Sequence, residues 1–263
     1  MEKPLRFILL GWLWAVLAQP LVTQALTDLE AVNMSGSQRM LTQRMMKDYL
    51  MIGADVKPDL ARIELSETTN LFEANLDTLA DYSDSPDINQ GLEQVHLIWQ
   101  QHKPQILATP DKSRASALID ENLTLLKACQ QLVERIEAQS LQHNADIVNL
   151  SGRQRMLSQR IAKVYMAMFW EVPNSELQAE FDTAQSEFAS ALATLQSYPD
   201  NTPAITQELG RVAVHWKFAQ PGMDLSPDKP HAPGNIFITM NSVMDKMDTI
   251  THLYETALNN KAR

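Results

Sequence analysis

The chain has 263 residues, 32 acidic against 22 basic side chains and a formal charge of −10, which is room for two small domains and argues against nucleic acid or an electropositive membrane-docking face. Cys129 is the only cysteine, so an intramolecular disulfide is excluded, and its place among Leu125, Leu126 and Leu132 marks it as a small buried apolar group. Eight glycines and a near absence of alternating β-branched runs point to an all-helical protein.

Lys3 and Arg6 precede an apolar run from Phe7 to Ala18, and Thr23 and Ala25 supply small residues, so residues 1–25 are expected to be an export signal cleaved after Ala25. The run is shorter than the roughly 20 residues of a spanning helix. Pro20 and Leu21 blur the cleavage region, which leaves an uncleaved N-terminal anchor as the alternative. In both cases the bulk of the chain is expected in the periplasm. No later segment has the length and apolarity to cross a membrane, so output would need a membrane-bound signalling protein in trans.

A first helix is predicted from about Leu26 to Ile52, ending near Gly53, and a second from Asp59 to Asp81, closed by a turn-rich Tyr-Ser-Asp-Ser-Pro-Asp. A third runs from Ile88 to Ile106 and ends by Pro110; Asp111 or Ser113 caps the fourth. Short loops between such helices give an up-down-up-down bundle with interior stripes such as Leu71, Leu76 and Leu79. The scheme restarts near Ala145, with breaks near Pro173, from Tyr198 to Pro203, and at the proline-rich Pro221 to Pro233. Between Lys112 and Val172 there is no proline and one glycine, so an unbroken helix is conceivable. A turn from Gln142 to Asn144 is favoured, which folds the fifth helix back parallel to the first. The expected modules are 26–143 and 144–263.

That division rests on an internal repeat. Val32 to Tyr49, VNMSGSQRMLTQRMMKDY, returns as VNLSGRQRMLSQRIAKVY from Val148 to Tyr165, with 12 of 18 positions identical at an offset of 116. Phe72, Leu76, Thr78 and Leu79 match Phe188, Leu192, Thr194 and Leu195 at the same offset, and the register then slips to pair Trp99 with Trp216 and Asn122 with Asn241. A repeat of this length is a whole small domain present twice.

On a helical wheel the repeated segment has two faces. Met34, Gln38, Leu41, Met45 and Tyr49, with Leu150, Gln154, Leu157, Ile161 and Tyr165, form a bundle seam. Ser35, Gly36, Arg39 and Gln43, with Ser151, Gly152, Arg155 and Gln159, form a small and polar strip that becomes apolar at Met46, Leu50, Ala162 and Met166. A helical glycine costs about 1 kcal/mol relative to alanine, so Gly36 and Gly152 call for a close approach by a backbone or a small ligand. If the copies meet through this strip, Arg39 and Arg155 face each other, and two cations about 5 Å apart at an effective dielectric near 20 repel by roughly 3 kcal/mol. A flat oxyanion between the two planar forks would remove that penalty and change how the helices pack. The alternative is that both arginines make surface salt bridges and both glycines serve packing only.

The pattern of asparagine, small-Gly, an arginine three residues on and then a second arginine is present as Asn33, Ser35, Gly36, Arg39, Arg44 and again as Asn149, Ser151, Gly152, Arg155, Arg160. It resembles the NarX-like and PilJ-like sensory module, the N-terminal domain of type IV pili methyl-accepting chemotaxis transducers, in two tandem copies. The resemblance implies periplasmic four-helix bundles. In the nitrate and nitrite sensors of that group, signature helices of two subunits pair and the arginine after the glycine holds nitrate between them. Carried over, Arg39 and Arg155, with Gly36 and Gly152, would form that site within one chain. The flanking membrane helices and cytoplasmic signalling domain of those sensors are not matched here.

The expected function is therefore a periplasmic sensory module that binds a small oxyanion, nitrate or nitrite for choice. The alternative is a protein-interaction or scaffold module for a chemoreceptor, a kinase ectodomain or a pilin. Met40, Met45, Met46 and Met51, with Met240, Met244 and Met247, have thioethers that could bind Cu(I), but such spacing normally fills cores. The histidines show no ligand-like pairing, so no metal or cofactor is expected. No nucleophile-base arrangement, glycine-rich phosphate loop or carboxylate cluster suggests an enzyme. Glu121, Asn122 and Asn241 read as surface or capping residues.

Overall fold

The computed structural model describes residues 26–82, 84–140, 145–226, 228–229 and 231–262. The expected export signal at 1–25 and the turn from Gln142 to Asn144 lie outside the described residues. Local chemistry sets the boundaries of the helices. α1 (Asp28–Gly53) begins with a reciprocal capping box, in which the Glu30 amide donates to the Thr27 hydroxyl and the Thr27 amide to the Glu30 carboxylate at 2.8 Å. Prolines without a backbone donor open α2 (Pro58–Ala80), α3 (Pro86–Ile106), α7 (Pro203–Ala219) and α8 (Pro233–Ala262). The Asp111 carboxylate caps α4 (Lys112–Gln139) by accepting from the Ser113 amide at 2.9 Å. α5 (Ala145–Phe169) and α6 (Leu177–Gln196) complete the set, with a 3₁₀ turn at Gln220–Met223 after α7.

The eight α-helices of the described residues form two bundles. In the first, α1 packs on α2 and α4, and α3 on α4; in the second, α5 packs on α6 and α8, and α7 on α8. Among the described residues the broadest helix pair crosses between the copies, α1 against α5, so the bundles lie side by side along their signature helices. These two helices run parallel and in register. The C-terminal Gly53 of α1 is covered by the Trp170 ring just beyond α5, which would lie 2.3 Å from a Cβ at that position, and Lys47 and Gln159 share Asn241 of α8 as a partner.

Being central, α1 is buried on both predicted faces, and among its seam residues only Met34 is partly exposed. Each copy builds the same aromatic core contact, Phe72 with Trp99 at 4.8 Å between centroids and Phe188 with Trp216 at 4.6 Å. Leu76 and Leu79 are core residues as expected, but Leu71 is 47 % exposed. The stripe is Phe72, Leu76, Leu79 at i, i+4 and i+7, and Leu71 falls one residue outside it. The seven methionines of the copper alternative are all core residues, and Cys129 is a buried free thiol. Among the described residues no helix is long and apolar enough to cross a membrane.

Candidate functional site

All eight residues of the repeated strip are buried at the α1–α5 seam. The Ser35 and Ser151 hydroxyls donate back to the Val32 and Val148 carbonyls, at 3.1 and 2.9 Å, which removes their polarity from the seam. The glycines make room for a guanidinium. A Cβ on Gly36 would sit 3.2 Å from Arg39 Nη2 and 3.8 Å from Arg155 Nη2, and one on Gly152 would sit 3.0 Å from Arg155 Nη2. Each arginine thus folds back over the glycine of its own helix, and the expected close approach is by a side chain rather than by a backbone. Both Nη2 atoms converge on Gly36.

Their hydrogen bonds are reciprocal between the copies. Arg39 Nη2 donates to Asn149 Oδ1 at 2.7 Å, and Arg155 Nη2 donates to Asn33 Oδ1 at 2.5 Å and to the Asn33 carbonyl at 3.2 Å. The fourth helix of each copy supplies the third partner, and here the symmetry fails. Arg39 Nη1 donates to the neutral Gln130 Oε1 at 2.6 Å, whereas Arg155 Nη1 makes an ion pair with Asp248. Among the described residues Arg39 has no carboxylate in ion-pair contact; Glu137 acts on it only from behind Asn149, which it holds at 2.7 Å. Burial first, and then the Arg155 charge, pulls the Arg39 guanidinium down to about 10. The two side chains are 1 % and 2 % exposed, so neither lies on a solvated helix face, although Arg155 does pair with an aspartate of a neighbouring helix.

One turn along, the strip glutamines each meet an asparagine. Gln43 Nε2 donates to Asn122 Oδ1 at 3.1 Å and Gln159 Nε2 to Asn241 Oδ1 at 3.2 Å. Asn122, fully buried, also donates to the Thr42 carbonyl at 3.0 Å and contacts His102 at 3.3 Å. The surface or capping assignment of Asn122 and Asn241 is therefore corrected: both are partners of the strip, as their joint match in the repeat had signalled. Glu121 is exposed. Burial drags His102 down to about 4, so it is neutral near pH 7.

A further turn on lies an ionic layer that the helical wheel did not single out. Lys47 Nζ contacts Glu64 at 3.2 Å with Arg44 at 3.5 Å from the same oxygen, and Lys163 and Arg160 each contact Glu180 Oε1 at 2.8 Å. Glu64 and Glu180 share the 116-residue offset, which was the available signal. Burial pushes the Glu180 carboxyl up, but Lys163 and Arg160 outweigh it and hold it below the usual range. The first copy adds Asp48 where the second has Val164. Asp48 is fully buried with Oδ1 3.1 Å from Lys47 Nζ, and among the described residues no donor other than Lys47 reaches its oxygens. Burial pushes it up to about 7, against the pull of Lys47. Among the described residues no three His, Cys, Asp or Glu side chains are grouped to hold a metal ion.

The family model described as type IV pili methyl-accepting chemotaxis transducer N-term, PilJ, matches residues 21–122 and again residues 137–234. No curated protein and no solved structure matches the chain.

Proposed function

Because the chain belongs to the PilJ family of chemotaxis-transducer N-terminal modules, and carries that module twice, we propose that it is a periplasmic sensor that binds a small monovalent oxyanion between Arg39 and Arg155. The supporting observation is the electrostatics of the seam. Two buried guanidinium groups converge on Gly36, one paired with Asp248 and the other hydrogen-bonded to neutral oxygens with Glu137 acting only from behind Asn149, so positive charge exceeds the negative charge in direct contact. A buried cation beside a second cation is a costly arrangement, and a single negative charge removes the cost. Nitrate and nitrite fit the chemistry, because planar oxygens accept in-plane pairs of N–H donors.

The Asn33 and Asn149 amide oxygens occupy donor positions that such an anion would use. Binding would exchange them for anion oxygens and loosen the cross-copy ties near the N-terminal ends of α1 and α5. That change in helix pairing is the signal this reading passes to a membrane-bound protein in trans. Export of the chain and Gln43 and Gln159 as the next turn of the site belong to the same reading. Calorimetry with nitrate and nitrite tests it: both should bind the parent protein, and Arg39→Ala or Arg155→Ala alone should abolish most affinity. Equal binding by the parent and both variants would overturn it.

A second reading, a protein-interaction module, is favoured by Val214 and Phe218 on α7, 68 % and 71 % exposed and one turn apart. It gains ground if neither anion binds and a Phe218→Ser substitution releases a captured partner.

A further inference from the structure

A groove of about 470 Å³ opens on the flank of the first copy, between α1, α2 and α8. Its lining is apolar at Met34, Leu71 and Met244 and acidic at Glu30, Asp245 and Glu255. The first copy carries Ser37 and Leu71 at positions where the second carries Arg153 and Glu187. In the second copy those two side chains bridge α5 and α6 at 3.0 Å. A groove of about 430 Å³ is present there too, but Arg153 and Glu187 line it with their own ion pair. In the first copy the serine and leucine leave the groove without that pair, and Leu71 is exposed.

Glu255 is the distinctive lining residue. It is 6 % exposed, its Oε2 lies 2.7 Å from His252 Nδ1, and its Oε1 has no hydrogen-bond partner among the described residues. A buried carboxylate oxygen without a donor is expensive, and it calls for a donor. The cations that line the groove are already engaged: Arg155 with Asp248, Arg44 with Glu64 at 3.5 Å, and His252 with Glu255. Glu30 and Asp245 therefore leave the groove with an excess of negative charge.

We propose that this groove is a second ligand site, for a small organic cation whose primary ammonium donates to Glu255 and whose apolar body lies over Met34, Leu71 and Met244. An ammonium brings three donors and one positive charge to the buried carboxylate and the acidic rim. Thioethers adapt to an irregular apolar body and make favourable contacts with an aromatic ring. The volume is that of a small-molecule pocket. Arg155 and Asn33 border the groove as well as the seam, but the ammonium contacts neither and needs no anion there, so titrations with the two kinds of ligand separate the readings.

The test is calorimetric titration of the full chain with 2-phenylethylammonium, against 3-phenylpropionate and 2-phenylethanol as anionic and neutral counterparts. The ammonium should bind saturably, with the other two at least about tenfold weaker, as the loss of a charge-assisted hydrogen bond implies. Glu255→Gln should weaken ammonium binding by about tenfold, and the double variant Ser37→Arg/Leu71→Glu should abolish it by placing the ion pair of the second copy across the groove. Both substituted positions of the double variant are partly or well exposed, so it decides the matter even if Glu255→Gln fails to fold. Absence of saturable ammonium binding, equal binding of the three probes, or undiminished binding by the double variant would each overturn the proposal, whatever nitrate does.

Discussion

The two copies share a scaffold and differ in charge. Each places serine, glycine, arginine and glutamine on the same strip, ties its arginine to the asparagine of the other copy, and backs its glutamine with an asparagine from its fourth helix. The second copy neutralises itself, with Asp248 on Arg155, Glu187 on Arg153 and Val164 where a charge could have been buried. Among the described residues the first copy leaves Arg39 with neutral hydrogen-bond partners, Asp48 with Lys47 alone, and the Ser37–Leu71 groove without an ion pair across it. Duplication frees one copy to hold the structure together while the other carries unsatisfied groups. Those groups lower stability and are where ligands gain the most.

The arginines give the largest contrast. Arg155→Ala removes an ion pair and two hydrogen bonds to Asn33, and should destabilise the fold by about 2 kcal/mol; water reaching Asp248, whose side chain is 43 % exposed, keeps the loss below that of a fully buried pair. Arg39→Ala should cost less, because it removes a buried cation that has no carboxylate in direct contact among the described residues, along with its hydrogen bonds. Denaturant melts of the two variants read the difference directly, and equal destabilisation would mean that Arg39 is neutralised after all.

Asp48 offers the next contrast, through Asp48→Val, which copies Val164. Lys47 keeps Glu64 and Asn241, so the substitution should stabilise the protein by about 1 to 3 kcal/mol at pH 8, the cost of a buried unsatisfied polar group. The sign follows from the raised folded value of about 7 against an ordinary 3.8. Below 3.8 both states hold the proton and the group contributes nothing. Between 3.8 and about 7 only the unfolded chain releases it, so the native state loses ground as pH rises, and above 7 the full penalty applies. Melting curves of parent and variant should therefore converge as pH falls toward 4; a gap that is constant with pH would sink the assignment.

The glycines give the smallest effect. Alanine improves helix propensity by about 1 kcal/mol at either site, so only the contact with the guanidinium decides the sign. Gly152→Ala places a Cβ 3.0 Å from the Nη2 of a guanidinium that Asn33 holds through Nη2 and Asp248 through Nη1, and should be net destabilising by about 1 kcal/mol. Gly36→Ala meets Arg39 at 3.2 Å, held only by neutral amides that yield, and should be close to neutral. Thermal denaturation of the pair ranks them.

Much of this was legible before any coordinates. The Asp111 cap, the prolines and the 3.6-residue periodicity act within a few neighbours, so the helices and their ends follow from local chemistry. The duplication and the shared strip are properties of the letters themselves. What the letters do not contain is the distance between positions 116 apart, and the pairing of α1 with α5 is a matter of how two apolar and polar surfaces fit. That packing decided that Asn122 and Asn241 are partners of the strip, that Leu71 borders a groove, and that of the two strip arginines Arg155 alone meets a carboxylate among the described residues. Charge compensation depends on which side chains lie within a few ångströms in a low-dielectric interior, and sequence spacing along separate helices cannot fix that.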